Sequence, residues 1–376
     1  MRRVMLTIDR IADVSAESFE AAVAAREAGR LREALRLARR AVKGFTATDG
    51  ARAPDTAHAR LELGRIRVAL GDPAGVTELV AATRILLAIR RGDADVATLT
   101  VHACLVTAAA LRAAGTYDQA SRYAEQALAR AREPSWIAAA HNELGVIGKF
   151  SGHYAEAARH YRAARPIVRR LYGERSVQMA ALWHNVGGLA HARGRYEEGE
   201  RAARQSVEIG RAVLPRGSLE QHAHEVAYGA LLDELGRYRE SIPMYRRALA
   251  AYRKAGDRYE VASTLHNLAA AEHSSGRLAA ARTHYAEALL EYRASVGDAH
   301  ADVGRTLHNL AMLEAARGRF VPFMRYSNRG LDILVAALGR AHPTVSAVWL
   351  AQQQTKRKLR GALSRSLRPR GARYTR

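Results

Sequence analysis

Four His-Asn pairs carry the recognisable chemistry of this chain: His141-Asn142, His184-Asn185, His266-Asn267 and His308-Asn309. The last three share one register before a glycine (Gly194, Gly276, Gly318), and the first is shifted by one residue before Gly152. His191 and His273 follow His184 and His266 by seven residues, so on a helix each His pair shares a face. A carboxamide both donates and accepts, and can hold the backbone of an extended chain without reading its side chains. The pattern predicts non-covalent recognition by a ladder of amides and imidazoles. The same Asn side chains could instead bridge neighbouring elements and hold the fold together, and the two roles are compatible.

Other chemistry is not suggested. Residues seven apart on a helix lie about 10.5 Å apart along its axis, too far to share one metal ion. His222 and His224 are two apart and do not face each other on a helix. The chain has no Cys pair, HExxH, phosphate loop, GxSxG elbow or convincing GxGxxG after a strand. No catalytic residue, metal ligand or cofactor is therefore expected. Glu197, Glu198 and Glu200 read as a solvated helix start. Tyr161, Tyr245, Tyr252, Tyr285 and Tyr292 recur at spacings that suit core packing.

The elements that position these residues are set by a repeated glycine. Gly29, Gly71, Gly115, Gly152, Gly194, Gly236, Gly276 and Gly318 succeed one another at intervals of 42, 44, 37, 42, 42, 40 and 42 residues. Seven residues before each stands a Gly or Ala: Ala22, Gly64, Ala108, Gly145, Gly187, Gly229, Ala269 and Ala311. Two residues after it a large residue is usual, as in Tyr117, Tyr154, Tyr196, Tyr238 and Phe320. Small residues recur five and twelve positions after it, as at Ala120 and Ala127. Apolar periodicity on both sides of the glycine predicts two amphipathic helices, and glycine can end the first in the left-handed conformation. Such hairpins bury their apolar faces only by stacking, so one helical array is expected.

These columns resemble the tetratricopeptide repeat. LHNLAAAEHSSGRL (265–278), LHNLAMLEAARGRF (307–320) and the linker LGRAHPTV (338–345) are similar to the long-period variant of kinesin light chains, with a fainter echo in VGDAHADV (296–303). The resemblance covers about residues 15–355 and departs from the pattern at Pro73, Val76 and Thr83, and at Phe323 and Gly330. HEAT and armadillo repeats share the period but do not supply these columns together. The resemblance implies an all-α, right-handed superhelical solenoid of about eight helix-turn-helix repeats with a C-terminal capping helix. Its expected divisions are a lead-in over 1–14, repeats over 15–343, a cap over 344–355 and a basic tail over 356–376. First helices would line the concave side. In this family Asn on those helices contacts bound peptide backbone, a role that falls on Asn185, Asn267 and Asn309, and on Asn142 in the shifted pair.

Composition adds a charge argument. The formal net charge is +22, and 54 of the 59 basic residues are Arg. Nine positive charges and no acid lie in 356–376, including Lys356, Arg357, Lys358, Arg360, Arg365 and Arg368. Surface Arg on helices is usually solvated, but the sign favours an acidic partner or nucleic acid. Leu359, Leu363 and Leu367 among these cations suggest a basic amphipathic helix, weakened by Gly361 and Pro369, or else a disordered tail. The single Cys104 excludes an internal disulfide, and Asp9 and Arg10 interrupt any signal-peptide core. The apolar stretch 99–111 contains His102 and is too short to span a bilayer, so a cytoplasmic location without a transmembrane segment is expected.

The function these observations predict is a non-enzymatic scaffold or adaptor that holds a protein or peptide segment in a concave groove. The alternative is a nucleic-acid-associated regulator acting through the basic surface and tail.

Overall fold

The computed structural model describes residues 2–89 and 93–366, with side chains described over 13–89 and 93–361. Among the described residues there are seventeen helices and no strand. Eight hairpins come first: α1 (Arg2–Glu27) with α2 (Leu31–Thr48), α3 (Pro54–Ala69) with α4 (Ala74–Ala88), α5 (Ala94–Ala113) with α6 (Tyr117–Arg130), and α7 (Pro134–Ser151) with α8 (Tyr154–Tyr172). They continue as α9 (Val177–Ala192) with α10 (Tyr196–Val213), α11 (Leu219–Glu234) with α12 (Tyr238–Ala255), α13 (Arg258–Ser274) with α14 (Leu278–Val296), and α15 (Ala301–Ala316) with α16 (Phe320–Leu338). The final helix α17 spans Pro343–Ser366.

The repeated glycine is the turn of every hairpin. All eight adopt φ between 69° and 84°. At Gly194 the closure is a Schellman motif: Arg195 N–H donates to the Ala190 carbonyl and Gly194 N–H to the His191 carbonyl, each at 2.9 Å. The small columns sit where helices cross. Ala22, Ala108, Ala269 and Ala311 are fully buried, as are Ala41, Ala127, Ala164, Ala248 and Ala288 twelve residues after the turn. At Gly145 a Cβ would stand 2.3 Å from the Tyr161 ring, so that ring fills the space a side chain would need. Tyr161, Tyr245, Tyr252, Tyr285 and Tyr292 are core residues.

The chain forms two compact units, residues 1–150 with 155–171, and residues 151–154 with 172–376. Within the first unit α1 packs on α2, α2 on α3, α3 on α4, α4 on α5 and α5 on α6. The second repeats the scheme from α9 to α17, and there the first helices α9, α11, α13, α15 and α17 also touch their neighbours in sequence. Helical hairpins stacked in this way make an all-α, tetratricopeptide-like solenoid.

Several elements run differently from expectation. Helix α1 begins at Arg2, inside the expected lead-in, and α17 continues to Ser366, well past residue 355. The run QQQTKRKLRGALSR is built almost wholly of good helix formers, so nothing in it forces a stop, and one glycine costs only about 1 kcal/mol. Helix α5 has 20 residues and is apolar enough to cross a membrane, longer than the expected apolar stretch. Its Val101, Ala103, Cys104, Ala108 and Leu111 are instead buried in the first unit, against α4 and α6. In the second repeat Gly75, one residue before Val76, takes the close-packed position: a Cβ there would meet Val68 N at 2.6 Å.

Candidate functional site

Because α9, α11, α13 and α15 lie side by side, residues at one register form a row across the second unit. Nine residues before each hairpin glycine the row reads Asn185, Ala227, Asn267 and Asn309, all half-buried. His184, His266 and His308 stand one residue earlier and are also half-buried. His141 and Asn142 belong to the first unit. Their helix is α7, where His141 Nδ1 lies 2.9 Å from His160 Nδ1, which requires one ring to donate and the other to accept.

The Asn residues of the row are not equivalent. Asn309 Nδ2 donates to His266 Nε2 at 3.2 Å, and His266 Nδ1 lies 2.9 Å from Thr306 Oγ1. Thr306 donates its own hydroxyl proton to the Asp302 carbonyl at 2.7 Å. The protons can then be arranged in one way: Thr306 accepts from His266 Nδ1–H, which leaves Nε2 as the acceptor for Asn309. The Tyr285 hydroxyl also hydrogen-bonds Asn309. This chain ties α13 to α15. Burial pushes the His266 pKa down to about 3, with Arg305 adding to the effect, so the ring is neutral as the hydrogen bonds require.

Asn267 is different. Its carboxamide has no hydrogen-bond partner among the described residues and remains partly open to solvent. Around it the first-helix positions are small, with Ser263 and Ala270 on α13 and Ala227 and Ala230 on α11, all half-buried. His308 has its Nδ1 buried with no hydrogen-bond partner among the described residues, and burial lowers its pKa to about 4. His184 stacks obliquely on buried His224, ring centroids 5.3 Å apart. His191 Nε2 stands 3.6 Å from Glu234 and edge-on to Tyr196, while His273 is half-buried, with its pKa lowered by burial. Asn185 sits in the row on α9. Among the described residues no three His, Cys, Asp or Glu side chains converge as a metal site.

Of the basic tail, Lys356, Arg357, Lys358 and Arg360 lie on α17, with Arg357, Lys358 and Arg360 exposed. Arg365 is on the same helix but its side chain is outside the described residues, as is Arg368 altogether.

Models of the tetratricopeptide repeat match residues 136–212, 178–254 and 260–322, and a second such model matches residues 19–75. The chain belongs to the tetratricopeptide repeat family. Among solved structures, a Rap protein complexed with Competence and Sporulation Factor is similar at 11% identity and a TM-score of 0.61, covering 83% of this chain and 87% of that one. NprR in complex with its cognate peptide NprX is similar at 12% identity and a TM-score of 0.56, covering 83% and 89%. Kinesin light chain repeats of Podosopora anserina are similar at 17% identity and a TM-score of 0.42, covering 55% and 98%. No curated protein sequence matches.

In this tetratricopeptide repeat chain the sequence reading missed the buried acids. Glu200, expected to be solvated with Glu197 and Glu198, is 6% exposed and is held by Arg204 at 2.9 Å, Tyr228 at 3.1 Å and Arg237 at 3.3 Å. Glu314 is 1% exposed and contacts Arg282 at 3.0 Å and Arg317 at 3.2 Å. Glu272 is equally buried against His284 at 2.7 Å, with Arg246 at 3.8 Å. A buried carboxylate must be paired, and here each acid has a partner from beyond its own helix, such as Tyr228 for Glu200, Arg282 for Glu314 and His284 for Glu272. A signal was present: Glu272 and Glu314 each stand four residues before a hairpin glycine. The structure therefore uses many of its acids as internal ties.

Proposed function

We propose that this chain is a non-enzymatic scaffold that holds a peptide or protein segment on the first-helix face of its second unit. The observation that carries the reading is Asn267, whose donor and acceptor are both unused among the described residues while neighbouring Asn309 is committed to the fold. Small residues beside it let an extended backbone approach closely, as at Ser263 and Ala270. The related fold of NprR was solved with its cognate peptide, which supports this class of ligand. Asn185 would extend the contact on α9, with His191, His273 and His308 at its margins, and His141 and Asn142 would serve a face of the same kind within the first unit.

The test is a randomised peptide-display selection against the full chain, followed by calorimetric titration of the enriched peptides. Loss of one amide hydrogen bond should cost about 1 kcal/mol, so Asn267→Ala should weaken binding about fivefold without lowering the melting temperature. Unchanged affinity in the folded variant, for peptides that bind the parent, would remove the reading.

A further inference from the structure

Helix α2 carries a second surface, in the first unit and on a second helix of its hairpin rather than a first. Arg32, Arg36, Arg39, Arg40 and Lys43 are all exposed. At 100° per residue these five fall within about 100° of arc, along about 16 Å of axis. None makes a hydrogen bond or ion pair among the described residues. The helix has one acid, Glu33, and that carboxylate is engaged by Arg30 at 2.8 Å.

Helix α12 treats three of its cations differently. On α12, Arg246 reaches Glu272 at 3.8 Å, Arg247 reaches Glu225 at 3.9 Å and Arg253 pairs with Glu287. Those arginines are spent on the stack. The α2 stripe lies opposite the side through which the helix is buried, at Ala34, Ala38 and Ala41. Five like charges in a row repel one another, and the described structure supplies no compensation.

We propose that the α2 stripe binds the phosphate backbone of double-stranded nucleic acid. The chemistry of the face selects among polyanions. A protein interface needs a desolvated core of large apolar or aromatic side chains, and no large hydrophobic residue is exposed on α2. Insertion into an anionic membrane needs an apolar face for the same reason. Single-stranded nucleic acid is gripped by stacking bases on aromatics, and Phe45, the sole aromatic of α2, lies by helical periodicity on the far side from the stripe. A duplex backbone requires none of these, because its affinity comes from cations releasing condensed counterions. Four of the five cations are Arg, which suits two-point contact with phosphate oxygens. Contacts to phosphate carry no sequence information, so a contact made through the backbone alone is indifferent to sequence.

The test uses the full chain and fluorescence anisotropy with two labelled DNA duplexes of about 20 base pairs and unrelated sequence. Four phosphate contacts give a log–log salt slope of about −3.6, so raising salt from about 50 to about 200 mM should weaken binding roughly 100-fold. Arg36→Gln/Arg40→Gln/Lys43→Gln should bind at least tenfold more weakly at the lower salt and flatten the slope by about 2 to 3. Its circular dichroism should match the parent, since none of the three side chains has a partner to lose among the described residues. The same triple change should have the same effect in a Lys356→Gln/Arg357→Gln/Lys358→Gln/Arg360→Gln background, which separates α2 from α17. Four results would each overturn the proposal: no duplex binding by the parent at the lower salt, parental affinity and slope in the triple variant, strong preference for one duplex sequence, or α2-dependent binding to anionic vesicles or polyglutamate in place of duplex.

Discussion

Asn309 donates its side-chain amide to Nε2 of His266 across 3.2 Å, joining the first helices of two successive repeats. The pair shows that one sequence motif, repeated in register, does two jobs. In His308-Asn309 the amide is a structural tie, whereas in His266-Asn267 the His is the tie and the amide is left over. Asn309→Ala should therefore destabilise the fold by about 1 to 2 kcal/mol, through loss of the bond and exposure of an unpaired His nitrogen. Asn267→Ala should change stability by less than about 0.5 kcal/mol, as a partner-free surface substitution does. Urea titration of both variants checks the contrast, and equal losses would count against it.

Acid should weaken the second unit through its buried histidines. The pKa of His266 is depressed to about 3 and that of His308 to about 4, against an ordinary value near 6.5. Above 6.5 neither ring is charged folded or unfolded, and their stabilisation is fully present. As pH falls from 6.5 toward 4 the unfolded chain takes up protons that the folded chain refuses, at about 1.4 kcal/mol per pH unit for each His. Among the described residues His308 has no partner for its Nδ1, so His308→Leu should be neutral or stabilising at pH 7 and should shift the melting temperature less on acidification. Thermal melts between pH 7 and 4.5 measure this, and identical pH dependence in parent and variant would contradict it.

A carboxyl in the same unit acts in the opposite direction. Burial, with Asp257 and Asp302 nearby, raises the Glu260 pKa to about 7. A raised carboxyl stabilises the fold at low pH and loses that contribution as pH climbs through its folded value. Glu260→Gln should then be more stabilising at pH 8 than at pH 5, by about 1 to 2 kcal/mol. Denaturant titration at the two pH values decides it.

Glycine substitutions should separate turn strain from crowding. Gly194 has φ of 69° and nothing within 4 Å of an added Cβ, so Gly194→Ala costs only the left-handed conformation, about 1 kcal/mol. Gly145 is helical, but an added Cβ meets the Tyr161 ring at 2.3 Å. Gly145→Ala should cost about 2 to 3 kcal/mol through overpacking, despite the better helix propensity of Ala. A milder loss at Gly145 than at Gly194 in melting experiments would refute the assignment.

How much of this was legible beforehand follows from the range of the forces involved. Helix pairs and their turns are local: a glycine at 42-residue spacing, with small residues seven before and twelve after it, encodes a left-handed turn and two crossing points within one short segment. The continuation of α17 past residue 355 is also local in origin: the basic run allowed either an amphipathic helix or a disordered tail, and as far as Ser366 it is helix. Which His-Asn amide is spent and which is spare is not local. Asn267 and Asn309 have the same neighbours in sequence, His before and Leu after, and only the packing of α13 against α15 separates them. The same holds for charge. Composition alone established an excess of cations, but a carboxylate such as Glu314 finds its arginines on other helices, and the five cations of α2 find none among the described residues. Sequence determined the repeat and the sign of the charge, because backbone geometry and composition act locally or sum over the chain. Tertiary structure decided which polar groups remain available, because hydrogen bonds and ion pairs form only between groups that folding brings within about 3 to 4 Å.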